Sequence, residues 1–413
     1  MPVGLYISVP FCRTKCSYCN FASDVFSKSA YENYVVRVLE DIAHSRPLAS
    51  ELGCRLENTA DSIYLGGGTP SILDGSQLLR MFTAVRDQFE VTPGAEITVE
   101  CAPGTLTPAL IEGLLQCGVN RVSLGVQSFV DQEAQSVGRL HKRSTVLEEI
   151  GRLREAGLAN INIDLIAGLP HQTEESWVFS VSETMATGVP HASVYMLEVD
   201  DDSRLGRELI AGGARYHAHF VPDDDATADF YQQACEMLAA ADIAQYEISN
   251  FARVGLGAFG GEAQDNQSRH NLKYWTRQPY IGFGVDAHSM LPTRQRNELH
   301  QAVRFATPDS LDAYMNRGLH SVTPVSMQAA IEESFFLGLR LNRGVDLERL
   351  RADIHDAVAP WETAIEQCLQ EGLLEQQGST LRLTGRGRLL SNEVFARFLA
   401  EETKVGTGHV NPR

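Results

Sequence analysis

The chain has 413 residues, enough for one large domain and a smaller one. Hydrophobic residues make up 43% and charged residues 21%, a globular composition that excludes general disorder. The formal charge of −18 excludes a broadly basic nucleic-acid or anionic-membrane surface and leaves room for a local basic cleft.

The first expected element is a strand over 5–9 (LYISV). The segment MPVGLYISVPFC has no basic stretch before its apolar residues, so a signal peptide is not expected. No run of about 18 apolar residues follows anywhere, so no membrane-spanning helix is expected and the chain reads as cytoplasmic. Strand and helix patterns then alternate. Strands are expected over 62–65, 96–100, 121–125, 160–166 and 192–197. Helices are expected over 30–52, 76–89, 108–117, a stretch ending near 157, 174–188 and 227–241. Strands alternating with helices of this length signal parallel βαβ units. Six units are too few for a closed eight-stranded barrel and fit an α/β fold built as an open, incomplete (β/α)6 barrel. A doubly wound sheet is the competing arrangement.

A pattern change follows residue 241. A strand is expected over 246–249, a glycine-rich polar loop over 255–268, and an insertion rich in Asp and Arg over 200–218. Helices over 308–317, 327–339, 347–352 and 361–371 lead to short strands at 374–376 and 381–383 and a last helix over 387–399. That order suggests a winged-helix-like accessory domain. The expected division is a barrel over 1–245, an extension over 246–305, the accessory domain over 306–400 and a disordered tail over 401–413.

Chemistry concentrates where the strands end, which is where parallel α/β folds bind ligands. Of eight cysteines, Cys12, Cys16 and Cys19 follow the first strand, and the other five are scattered singly. Three thiolates suit a soft metal centre, either an iron–sulfur cluster or zinc. On a four-iron cubane they leave one iron open to a small chelating molecule. Zinc normally takes four ligands, and no second cysteine pair is present. The spacing also fits one face of a helix, although Pro10 and the polar Arg13, Thr14 and Lys15 favour a loop. Gly66-Gly67-Gly68-Thr69-Pro70 closes the second strand, either as a simple tight turn or as a backbone cradle. Glu100, Gln127, Arg139 and Asp164 would supply polar specificity, an arginine pairing with a carboxylate and strand-end acids with hydroxyls.

Cys-x3-Cys-x2-Cys after the first strand, with Tyr18 before the last cysteine, resembles the radical S-adenosylmethionine (SAM) superfamily. There the unliganded iron of a [4Fe-4S] cluster binds SAM. LYISVPFCRTKCSYCNF, YLGGGTPS, LGVQSF, INIDLIAGLPHQT and YIGFGVDAHS resemble the coproporphyrinogen-dehydrogenase-like branch, and LTGRGRLLSNEVF resembles its accessory domain. By position, the resemblance implies Cys12, Cys16 and Cys19 as cluster ligands. It implies Tyr6, Tyr18, Gly67, Gly68, Thr69, Glu100, Gln127, Arg139 and Asp164 as SAM-binding residues.

Two features separate members of that branch. The dehydrogenase has a fourth cysteine two residues after the third and an extension before the motif; here Phe21 stands in that place and Cys12 lies near the start. His270-Asn271-Leu272-Lys273-Tyr274-Trp275 resembles the HNxxYW signature of the HemW haem-chaperone family. An imidazole can ligate haem iron and aromatic rings can pack on the macrocycle, so His270, Tyr274 and Trp275 are candidate haem residues. A satisfied core histidine is the competing reading. His141, His171 and His288, and the pair His217 and His219, read as structural. The resemblance implies a haem chaperone in porphyrin metabolism, with respiratory haem proteins as acceptors and a homodimeric state; the −18 charge and the absence of a basic stripe speak against a nucleic-acid partner. The alternatives are oxidative decarboxylation of coproporphyrinogen III, or a radical SAM methyltransferase or other radical SAM enzyme.

Overall fold

The computed structural model describes residues 1–256, 263–316, 318–353 and 358–399. An alternation along the first six strands governs the architecture. In β1 (Val3–Val9), Leu5, Ile7 and Val9 are fully buried in the main apolar core, whereas Gly4, Tyr6 and Ser8 take the other face. The same split runs through β2 (Thr59–Gly67), β3 (Glu90–Cys101), β4 (Arg121–Gln127), β5 (Ile161–Ala167) and β6 (His191–Met196). Ile63, Val99, Leu124, Ile163 and Val194 pack on the apolar side. Tyr64, Glu100, Ser123, Asp164 and Ser193 alternate with them and turn to the concave interior.

The apolar face is covered by the helices of the βα units. These are α1 (Lys28–Glu51), α2 (Gly75–Gln88), α3 (Pro108–Gln116), α4 (Asp131–Ser136), α5 (Arg143–Glu155) and α6 (Glu174–Ala186). After the insertion with α7 (Arg204–Ala211) comes α8 (Asp224–Ala240). Several starts are chemically marked: Asp74 and Thr173 form capping boxes, and Thr107 and Asp223 cap with one side-chain bond each.

Strand order decides between the two arrangements left open by the sequence. β1 to β6 are parallel neighbours in chain order, with no reversal of direction along the sheet. A doubly wound sheet would reverse at a switch point; this is a singly wound, open (β/α)6 barrel. The β6 edge continues through β7 (Ile243–Gln245), β8 (Asn250–Leu256) and β9 (Ala263–Asp265), where β8 is antiparallel to all three of its partners. After α9 (Arg269–Trp275), β10 (Tyr280–Phe283) adds a further parallel strand beside β1. Antiparallel β11 (His288–Asn297), β12 (His300–Ala306) and β13 (Ser321–Val325) extend that edge, with α10 (Leu311–Met315) between the last two. β7 and β13 end the sheet at opposite extremes, so the barrel stays open among the described residues.

Several expected elements fall differently. The strand expected over 246–249 is the turn joining β7 to β8. Its fully buried Glu247 accepts hydrogen bonds from Ser249 N (3.1 Å) and the Asn250 amide, which ties a turn rather than a ladder. The loop expected over 255–268 contains β9, and its residues 257–262 lie outside the described residues, as does the expected tail over 401–413. β13 pairs with β12, so the large sheet runs past residue 305.

The C-terminal unit has its own core, in which Phe335, Trp361, Ile365, Leu381 and Phe398 are packed together. It comprises α11 (Met327–Gly338), β14 (Val345–Asp346), α12 (Leu347–Asp353), α13 (Glu362–Gln370), β15 (Leu374–Gln377) and β16 (Thr380–Leu383), and ends in α14 (Gly385–Leu389) and α15 (Ser391–Ala396). Its small sheet has the order β14-β16-β15, as expected of a winged-helix-like unit. The last helix, expected as one piece, breaks at Leu390 (φ −103°, ψ 29°). Glu333 on α11 joins the unit to the large sheet, accepting from Arg277 Nε (2.7 Å) and Arg304 Nε (2.8 Å).

Candidate functional site at the barrel mouth

The cysteine segment folds as a loop, as Pro10 and its polar residues suggest. Cys12 N donates to Asp24 O and Asp24 N to Pro10 O, both at 2.9 Å, which closes the loop on itself. Lys15 Nζ reaches Phe21 O and Ser23 O at 2.6 Å, so a cation spans the loop interior. Cys12 and Cys16 are buried and Cys19 is half-buried. Burial pushes the Cys12 and Cys19 thiols up, while Lys15 pulls both down, and the thiols also repel one another. These thiols must therefore release protons to bind metal. Among the described residues no three His, Cys, Asp or Glu side chains converge on a point for one metal ion. Ligands of an iron–sulfur cubane need not converge, because each holds a different iron.

Gly68 fits against this loop. A β-carbon there would meet Phe11 O at 2.7 Å, Val9 O at 2.9 Å and Cys12 Sγ at 3.0 Å, so only glycine lets the β2 end approach the thiol. Gly68 N and Thr69 N donate to Val9 O and Phe11 O at 2.8 Å, and Thr69 Oγ1 lies 3.9 Å from Cys12 Sγ. Gly67 N (φ 105°) donates to Glu100 Oε2 at 3.2 Å.

Glu100 and Asp164 form a pair of half-buried carboxylates in the interior. Burial raises Glu100 to about 7, with Asp164 adding to the rise and Tyr64 and Gly67 N opposing it. Tyr64 OH donates to Glu100 Oε1 at 2.8 Å. Burial also raises Asp164, against hydrogen bonds from Ser193, Ser123 and Asn162. Arg139 supplies the opposing charge; burial disfavours its cation, and Tyr18, Cys16 and Asp164 more than restore it. Its guanidinium lies so close over Gly125 that a β-carbon there would fall 2.5 Å from a terminal nitrogen. Arg139 Nε and Gln127 Oε1 are buried and have no hydrogen-bond partner. Gln127 is also held at φ 69°, an unfavourable value for a side-chain residue. Unsatisfied buried polar atoms beside a strained residue mark a place where a ligand's polar groups belong.

The structure thus brings together Cys12, Cys16, Cys19, Tyr18, Gly67, Gly68, Thr69, Glu100, Gln127, Arg139 and Asp164. Tyr6 lies deeper, stacked between levels at 6.2 Å from both the Tyr64 and His270 rings, and burial raises its hydroxyl. Tyr64, Ser123, Asn162 and Ser193 were not singled out from the sequence, although they hold the two carboxylates. The period-2 alternation of polar residues was the available signal.

His270, Tyr274 and Trp275 lie at the other end. Gly4 and Ser62 pair across β1 and β2, Ser62 and Glu96 across β2 and β3, and α9 caps this level as a floor. Glu96 accepts from Arg269 N (3.0 Å) and His270 N (3.1 Å). His270 is 1% exposed, with Nδ1 bonded to Ser62 Oγ (3.0 Å) and Nε2 to Tyr274 OH (2.8 Å). Burial, then Lys273, lowers its pKa to about 3. Both ring nitrogens are engaged in this arrangement. Trp275 packs beneath the Arg340 guanidinium, 4.2 Å from its ring centre, and its indole N–H is buried without a partner. Among the other histidines, His141 bonds Val126 O at 3.1 Å, and burial lowers it to about 4. His171 Nε2 lies 3.2 Å from His217 Nδ1.

Comparison with known proteins agrees with this architecture. The model of the radical SAM superfamily matches residues 6–181, and that of the HemN C-terminal domain matches residues 325–390. The heme chaperone HemW of Lactococcus lactis is 31% identical over 97% of this chain and 98% of its own length. That of Mycobacterium tuberculosis is 32% identical over 96% and 95%, and that of Escherichia coli 29% over 97% and 99%. Coproporphyrinogen III oxidase (HemN) from Escherichia coli, a radical SAM enzyme, superposes with a TM-score of 0.78 at 22% identity over 96% of this chain and 90% of that one. The chain belongs to the HemW family within the radical SAM superfamily.

Proposed function

We propose that this protein is a haem chaperone. It holds a [4Fe-4S] cluster on Cys12, Cys16 and Cys19 and SAM beside it, takes up haem, and passes it to acceptor haem proteins. The observation that carries this reading is likeness over nearly the whole chain to several heme chaperones named HemW. The residues present suit the two resident groups. The cysteine loop offers three thiols with Gly68 keeping a side chain away from Cys12 Sγ. Arg139 and Gln127 offer buried polar atoms with nothing of the protein's own to bond, and Glu100 and Asp164 offer carboxylates to hydroxyl or ammonium groups.

When bound, the cluster and SAM supply a chelated open iron and a sulfonium that can accept an electron. The chain's own part is to bind, orient and exclude water. Gly67 and Thr69 shape the wall beside Cys12, Arg139 sets a positive charge between Tyr18, Cys16 and Asp164, and Tyr6 and Tyr64 close the space beneath Glu100. Haem is cargo rather than a resident group, with respiratory haem proteins as acceptors and a homodimer as the working form. A cytoplasmic setting fits the chain, and no helix among the described residues is long and apolar enough to cross a membrane.

Anoxic reconstitution followed by haem titration tests the reading, with the Soret band as readout. Stoichiometric uptake is expected. Restoration of haem synthesis in a strain lacking the oxygen-independent coproporphyrinogen III dehydrogenase would instead make it an enzyme of porphyrin oxidation.

A further inference from the structure

The insertion between β6 and α8 has no part in the site described so far. Ser203 caps α7, and the chain then folds back over the helix around Glu208. That carboxylate accepts from the backbone N–H groups of Arg215 (2.8 Å), Tyr216 (2.8 and 3.0 Å) and Ala218 (3.2 Å), so its charge is committed to holding the fold-back. The result is a cleft of ≈ 480 Å³ lined by Arg204, Arg207, Glu208, Gly212, Arg215 and Tyr216. The cleft is shallow and opens widely to solvent.

Three of the six lining residues are arginines, in a chain of net charge −18. Arg215 lies over the Tyr216 ring at 5.5 Å, and neither Arg215 nor Arg207 makes an ion pair among the described residues. The neighbouring Asp200 accepts from Asn20 Nδ2 (2.6 Å) and Asp202 N (2.8 Å). Guanidinium groups that line one cleft repel, and their planar forks match carboxylates bidentately, so an anionic ligand with two separated carboxylates relieves both. The same insertion exposes Leu209 (51%), Ile210 (68%) and Phe220 (57%), large apolar surface that water solvates poorly.

The insertion is also fastened to the cysteine loop. Leu205 N donates to Ser17 O (2.8 Å) and Arg204 to Lys15 O (3.1 Å). A ligand in this cleft therefore sits on the segment that packs against the cysteines.

We propose that this cleft anchors haem by its two propionates, Arg207 and Arg215 each pairing with one carboxylate, and that the insertion's exposed apolar residues cover part of the macrocycle. This rests on the chaperone reading and adds an anchor for the cargo's carboxylates at the insertion.

The test titrates the reconstituted full-length chain with haem and with haem dimethyl ester, in which both carboxylates are masked. The same pair is run on the double variant Arg207→Gln/Arg215→Gln. Both substitutions are at exposed positions, and cluster content in the variant checks that the loop is intact. The ester is expected to bind the wild type roughly tenfold more weakly than haem or worse, and the variant to lose affinity for haem by a similar factor. The variant should no longer distinguish haem from its ester. If the wild type takes up haem but either the ester or the variant binds unchanged, the anchoring site is wrong and the chaperone reading stands. If the wild type takes up no haem, the chaperone reading itself falls.

Discussion

The two ends of one barrel are built on opposite terms. At the mouth, Arg139 Nε and Gln127 Oε1 are buried without partners, Gln127 is held at φ 69°, and two carboxylates share one interior. At the floor, both nitrogens of His270 are bonded, Glu96 receives two backbone N–H groups, and the buried Lys273 lies 2.7 Å from Asp61. The mouth leaves atoms of two neighbouring residues open, whereas the floor engages both His270 nitrogens and leaves the Trp275 indole N–H open. The HNxxYW segment lies below Tyr6 and Tyr64, whose rings are 6.2 Å and 5.3 Å from that of His270.

The largest contrast comes from the cysteines. Cys12→Ser, Cys16→Ser or Cys19→Ser is expected to abolish bound iron and labile sulfide while leaving the fold, and far-ultraviolet circular dichroism, intact. Retained iron in all three variants would move the metal site elsewhere. At the floor, Lys273→Met should act on stability instead. It removes one partner of a pair whose lysine is 1% exposed, a loss of about 3 kcal/mol in chemical denaturation. His270→Ala should cost about 2 kcal/mol from the lost hydrogen bonds and the cavity. Full stability in either floor variant would mean that α9 is not a structural cap.

The same contrast is legible in pH dependence. His270 titrates near 3 in the fold and near 6.5 when unfolded, so between these values the unfolded chain binds a proton that the native chain does not. Stability therefore falls as pH drops below 6.5, by up to about 1.4 kcal/mol per unit from this group, with no contribution above 6.5. His141 and His191, lowered by burial, act with the same sign. Glu100, raised to about 7, acts with the opposite sign between its ordinary value of 4.5 and 7. His270→Ala should make the acid slope shallower by that one-group amount; an unchanged slope would show that His270 is not buried neutral.

The first six strands were readable because each alternates apolar with polar or small residues and several are followed by a capped helix, as with Asp74 before α2 and Thr173 before α6. The thiol motif was readable because its meaning lies in local spacing. β10 to β13 were not. Their apolar runs are short or exposed, as in β13, where four of five residues are exposed and Pro324 interrupts the pattern, and their pairing is set by the distant edge of β1. The position of His270 was equally hidden. It depends on the pairing of Gly4 with Ser62 and of Ser62 with Glu96, which lies far from it in sequence. The arginine cleft escaped notice because Arg204, Arg207 and Arg215 converge only after Glu208 has folded the insertion back.

Haem transfer is the most direct measurement. The anoxically reconstituted protein, loaded with one equivalent of haem, is mixed with the apo form of a respiratory haem protein, and the Soret band of the acceptor is followed. The acceptor spectrum should appear faster than it does from free haem at the same concentration. Haem that never leaves this chain, or that reaches the acceptor no faster than without it, would contradict a chaperone.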